Sequence, residues 1–147
     1  MNRFNDSNAA MTTTAMDTTS RTRAFIQHLF SDSFGSTFLS HLSDNIIWTA
    51  TGSSPLSGRY EGKQVYQTQV LDKIYERLEE PPTRILDRIL VDGEWATVHF
   101  HSVGVRGKNG ADFSMDYCWI IKVDLERREV VEVVGFYDSK KMWDLFA

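Results

Sequence analysis

The sequence predicts an α+β fold in which helices lie across one face of a strongly bent antiparallel sheet and enclose an apolar pocket. Two observations predict it. Helical periodicity is concentrated in the first half of the chain, whereas alternating apolar and polar residues separated by turn signals fill the second half. Helices first and a strand meander afterwards point to helices layered on one side of an antiparallel sheet. The chain has 147 residues, enough to bury one core.

Residues 1–19 are rich in Asn, Thr, Ser and Met without periodicity, and are expected to form a disordered tail ahead of a single domain over 20–147. Phe25, Ile26, Leu29 and Phe30 fall at helical spacing and predict an amphipathic first helix. Phe38, Leu39 and Leu42 mark a short second one. Asn45 to Thr51 reads as a strand, closed by the loop signal Gly52-Ser53-Ser54-Pro55. Gly58 and Gly62 bracket Arg59-Tyr60-Glu61. The longest helix is expected from there to Glu80, with Tyr66, Val70, Leu71, Ile74 and Leu78 as its stripe and Pro81-Pro82 as its stop. Strand patterns follow at Arg84 to Val91, Trp95 to Arg106, Asp112 to Val123 and Glu129 to Tyr137. Asp138-Ser139 caps a last short helix containing Met142, Leu145 and Phe146.

Strand parity sorts the side chains. Phe113, Met115, Tyr117, Trp119, Ile121 and Val123 share one face, which is the buried one. Asp112, Ser114, Asp116, Cys118, Ile120 and Lys122 share the other. With Asn109-Gly110 as a two-residue turn, Phe100 faces Trp119, Val98 faces Ile121, and His101 lies across from Cys118. His99 and His101 then point away from the pocket, and a slip of one residue would turn them into it.

Composition excludes several classes. A net charge of −4 and the lack of clustered Lys and Arg argue against a nucleic-acid partner. No apolar stretch approaches the ~20 residues of a membrane span, so no membrane partner is expected. The N-terminus lacks a basic-then-apolar leader pattern. The single Cys118 fits a reducing compartment, and a cytoplasmic location is expected. No phosphate-binding glycine loop, Ser-His-Asp signature or dinucleotide fingerprint is present, so no cofactor is expected. His99-x-His101 opposite Cys118 is the one arrangement resembling metal ligands. It lacks a further donor at fixed spacing, and no metal is expected.

Three blocks carry a resemblance. They are Trp48-Thr49-Ala50-Thr51-Gly52 with Pro55 to Lys63, Tyr117-Cys118-Trp119-Ile120, and Val130 to Asp138. The chain after Ser20 resembles the SnoaL-like branch of the nuclear-transport-factor-2-like superfamily, relatives of ketosteroid isomerase and polyketide cyclases. The resemblance implies a cone-shaped α+β fold around an apolar pocket. The positions at which ketosteroid isomerase carries its tyrosine and two acids fall on Phe25, Thr49 and Trp119, and an acid used by other relatives falls on Gly135. Steroid-isomerase chemistry therefore does not transfer.

The pocket face offers aromatic and weakly polar groups instead. Tyr117, Tyr137 and Thr49 are the candidate catalytic residues, as donors to and orienters of a carbonyl. Trp48, Trp119, Tyr66 and Met115 are the candidate substrate-binding residues. The expected function is cofactor-independent isomerisation, cyclisation or dehydration of a hydrophobic small molecule, of the kind found in polyketide or terpenoid metabolism. A non-catalytic binding domain and a protein-interaction module remain alternatives. His28 and His41 are expected to be solvated or capping residues, and Asp138 a helix cap. The outer face, with Cys118, Ile120, Val130, Val134 and Phe136, is expected to pair two copies into a homodimer.

Overall fold

The computed structural model describes residues 18–147. The expected tail up to residue 17 lies outside the described residues, and Thr18 and Thr19 already belong to the first helix, α1, over residues 18–29. Six strands follow: β1 (Leu42–Ala50), β2 (Gly58–Glu61), β3 (Thr83–Asp92), β4 (Trp95–Val103), β5 (Asp116–Asp124) and β6 (Glu129–Phe136). They form one open sheet in the order β2-β1-β6-β5-β4-β3. β1 runs parallel to β6, and every other neighbour is antiparallel. β2 is a strand that the sequence reading did not assign; its four residues, Gly58 to Glu61, pair with Ile47 to Ala50.

The sheet bends because single residues are inserted into its ladders. Asp87 lies between Leu86, opposite Phe100, and Arg88, opposite His99. Val131 lies between Val130, opposite Val123, and Glu132, opposite Lys122. The second bulge corrects an expectation: it turns Val130 inward, where it is fully buried, so Val130 does not belong to the outer face.

The β4–β5 register also differs from the expected one. Val98 faces Trp119, Phe100 faces Tyr117, His99 faces Cys118, and His101 faces Asp116. Each partner is displaced by two residues, an even number, so the face assignments hold. The physical cause is a pair of compensating irregularities. Gly107 donates to Ala111, which leaves a three-residue turn that would reverse the faces. Between the Phe113–Val105 and Ser102–Met115 backbone bonds, β4 carries one residue more than β5, which reverses them again.

α1 buries Thr22, Phe25, Ile26 and Leu29, one helical stripe laid on the sheet. α2 (Ser36–Ser40) adds the buried Phe38. His41, at its end, donates from Nδ1 to the Thr37 carbonyl at 2.7 Å, a capping role as expected. The long helix is shorter than the sequence suggested. It runs as α3 (Lys63–Tyr66), a π-helical turn (Gln67–Leu71) and α4 (Asp72–Tyr75), and unwinds before the proline pair. Leu78 instead bridges to Gly107. α5 (Ser139–Phe146) is capped by the Asp138 carboxylate, which accepts from the Lys140 and Lys141 amides. Its other end is tied down by Asn109, whose Nδ2 donates to the carbonyls of Asp144, Leu145 and Ala147. The residue expected to make the hairpin turn thus also closes the last helix.

Candidate functional site

A cavity of about 60 Å³ lies between the concave face of the sheet and the helices. β1 contributes Trp48, β5 contributes Tyr117 and Trp119, and the helix over 63–75 contributes Tyr66, Val70 and Leu71. These positions follow from local rules: alternation puts Tyr117 and Trp119 on one face, and helical spacing puts Tyr66 beside Val70. The π turn sits in the helical wall of the cavity, a place where such turns are common.

The aromatic rings fill much of the concave side. Trp48 stacks on Tyr66 with centroids 4.0 Å apart, and meets Trp119 edge-on at 5.0 Å. Phe34 stacks on Trp119 at 5.3 Å, and Phe100 on Tyr117 at 4.8 Å. Gly135 makes room for both indoles. A Cβ there would stand 3.3 Å from the Trp119 ring and 3.7 Å from Trp48 Nε1. The space left over suits a few waters or a small apolar group.

Polar groups are few, and each of them can donate. Burial pushes the Tyr117 phenol up to about 12, with the nearby Arg84 charge opposing that rise. Burial also drives Tyr66 far above the ordinary tyrosine value. Both phenols stay protonated at neutral pH and serve as hydrogen-bond donors, not bases. Arg84 lines the same cavity. Its guanidinium donates to the Ser33 carbonyl at 3.3 Å and to the Tyr75 hydroxyl at 3.4 Å, while its buried Nε has no partner. Among the described residues that line the cavity, none is a carboxylate or an imidazole. The site can therefore stabilise negative charge, and it offers no side-chain base of ordinary strength.

Five of the seven candidate residues meet here: Trp48, Tyr66, Tyr117, Trp119 and Tyr137. Two do not. Thr49 follows Trp48 on β1 and so points to the opposite face, half-buried. Met115 is buried but lies beyond the cavity wall, against a surface groove with His99 and Cys118. Tyr137 lines the cavity with its ring, but its hydroxyl is held 2.6 Å from Ser54 Oγ and 3.1 Å from Ser57 Oγ. These contacts tie Tyr137 to the 54–57 loop. Arg84 and Tyr75 were missed. The signal for Arg84 was parity: it shares the inner face with Leu86, an unusual place for an unpaired charge.

No family model and no curated protein matches the sequence. Solved structures do match. An NTF2-like protein from Burkholderia xenovorans superposes with a TM-score of 0.62 at 20% identity, covering 88% of this chain and 98% of that one. An NTF2-like protein from Burkholderia thailandensis gives 0.68 at 16% identity, covering 86% and 97%. The BvnE pinacolase from Penicillium brevicompactum gives 0.69 at 13% identity, covering 86% and 89%. The chain has the NTF2-like fold. The shared fold by itself assigns no chemistry to Arg84 and Tyr117.

Proposed function

We propose that this NTF2-like chain is a cofactor-independent enzyme that isomerises, cyclises or dehydrates a hydrophobic small molecule bearing a carbonyl oxygen. The observation that carries the reading is the partnerless Nε of Arg84 in an apolar cavity also lined by Tyr117. Leaving a buried donor unpaired costs about 1–3 kcal/mol. A substrate oxygen that gains negative charge during reaction would satisfy it, and most fully in the transition state. Tyr117 supplies a second donor. Trp48 and Trp119 would bound the apolar part of the substrate, and the remainder would extend past Tyr75, Pro82 and Arg84, which also line the cavity. Reactions confined to one molecule suit this set, with the proton passing to a substrate group or to water. That one structural neighbour is named a pinacolase supports a catalytic over a passive reading.

The test is turnover of a panel of carbonyl-bearing polyketides and terpenoids, followed by product mass spectrometry. Arg84→Met is expected to lower turnover by about 10²–10³, the usual loss for one oxyanion donor, while the fold keeps its stability. Saturable binding without any conversion would instead make the chain a carrier domain. For the partner surface, the exposed Leu90 and Phe136, 63% and 45% exposed, support a second copy of the chain packed on the convex face.

A further inference from the structure

The convex face of the same strands holds a second cluster of side chains. Alternation places His99 and His101 on one side of β4. The observed register sets Asp116 of β5 directly opposite His101. The bulge in β3 supplies a fourth group, since Asp87 is the inserted residue between Leu86 and Arg88 and its carboxylate is aimed at both imidazoles. Asp87 Oδ2 lies 2.7 Å from His101 Nδ1 and 3.7 Å from His99 Nε2, and Asp116 Oδ1 lies 2.9 Å from His99 Nε2. Ligating atoms of Asp87, His101 and Asp116 all fall within 4.8 Å of one another. Three neighbouring strands thus converge one nitrogen and two carboxylates on one patch of the surface, with His99 hydrogen-bonded to Asp116 beside them.

We propose that Asp87, His101 and Asp116 form a zinc site, with water as the fourth ligand and His99 holding Asp116 from outside. Zinc bonds of about 2.0–2.2 Å in a tetrahedron separate donor atoms by about 3.3–3.6 Å, a range that lies between the 2.7 Å from Asp87 to His101 and the 4.8 Å within which all three donor atoms fall. Closing on an ion needs shifts of up to about 1 Å, within the reach of side chains that are 26% exposed at Asp87, 31% at His101 and 77% at Asp116. Two carboxylates balance the ion's charge. Imidazole nitrogens select zinc and its neighbours over calcium or magnesium, which take oxygen donors. The register is what distinguishes this site from the arrangement read in the sequence, which offered Cys118 as the third donor. Facing away from the cavity, the ion would clamp β3, β4 and β5 together and take no part in the pocket's chemistry.

The experiment uses the full, untagged chain, stripped with a chelator and titrated with zinc alone, and in parallel with cobalt(II) as a spectroscopic stand-in. One equivalent per chain is expected to bind saturably and raise the melting temperature. Cobalt should show the intense visible bands of a four-coordinate site. Asp87→Asn and His101→Gln should each weaken zinc by more than about tenfold, with the metal-free melting temperature unchanged to show that both fold. Absence of saturable binding would reduce the cluster to hydrogen-bonded His–Asp pairs and overturn the proposal. So would wild-type affinity in both variants, which would place the ion elsewhere, as near His28 and His41.

Discussion

On β4 and β5 the two faces of one sheet do opposite work with alternate residues. Inward, Phe100, Tyr117 and Trp119 stack against one another and against Phe34. Outward, one position along each strand, His101 pairs with Asp87 and His99 with Asp116 across partly solvated distances. The inner residues are held by packing, where lost contact is not replaced by water. The outer ones are held by charge and hydrogen bonds, for which water competes. Substitutions one residue apart should therefore differ severalfold in their effect on stability.

The largest effect is expected at Trp119→Ala, on the concave side. Trp119 is 7% exposed and touches aromatic rings on four sides, so its removal should cost about 3–5 kcal/mol, measured by urea unfolding. A loss below about 1 kcal/mol would mean that the ring borders open space, and the cavity would be larger than drawn here.

Alkaline pH probes the same side next. The Tyr117 phenol ionises at about 12 in the fold, against 10.0 ordinarily, so the folded chain holds this proton more tightly than the unfolded chain. Its contribution is complete below pH 10 and is lost as the pH rises toward 12. The shift corresponds to about 3 kcal/mol at the upper end, and Tyr66 acts in the same direction. Tyr117→Phe should flatten the fall in stability above pH 10. Appearance of all tyrosinate absorbance at the ordinary pH, with the fold intact, would show that water reaches the cavity.

Gly135→Ala is expected to cost about 1–3 kcal/mol, because the new Cβ would meet the Trp119 ring at 3.3 Å. Neutral behaviour in thermal unfolding would mean that the two indoles can part, the movement a bulky substrate requires. On the convex side, Phe136→Asp should shift the sedimentation coefficient from dimer to monomer. If the wild type already sediments as a monomer, the pairing of convex faces fails. His99→Gln, without metal, marks the small end of the comparison at within about 0.5 kcal/mol.

Much of this contrast was legible without coordinates. Phe25, Ile26, Leu29 and Phe30 announced α1, and Phe113 through Val123 announced the inner face of β5, because burial follows periods that the chain writes into its residues. Asp138 announced the last cap. The pocket list was less complete. Thr49 was drawn in with Trp48 although neighbours on a strand cannot share a face, and Tyr137 gave no sign that Ser54 and Ser57 would claim its hydroxyl.

By itself the sequence determined the class of fold, the order of its elements apart from β2, and which side of each regular strand is buried, since these depend on local periodicity and turn chemistry. Tertiary structure decided the rest. The Asp87 bulge, the extra β4 residue that restores the faces after an odd turn, and the parallel pairing of β1 with β6 all depend on which strands meet. Arg84 became a pocket residue, and Asp87 and Asp116 became partners of His99 and His101, only once that pairing was made. A bulge inserts one residue into a ladder without a mark in the periodic pattern, so its consequences appear only where the partner strand lies beside it.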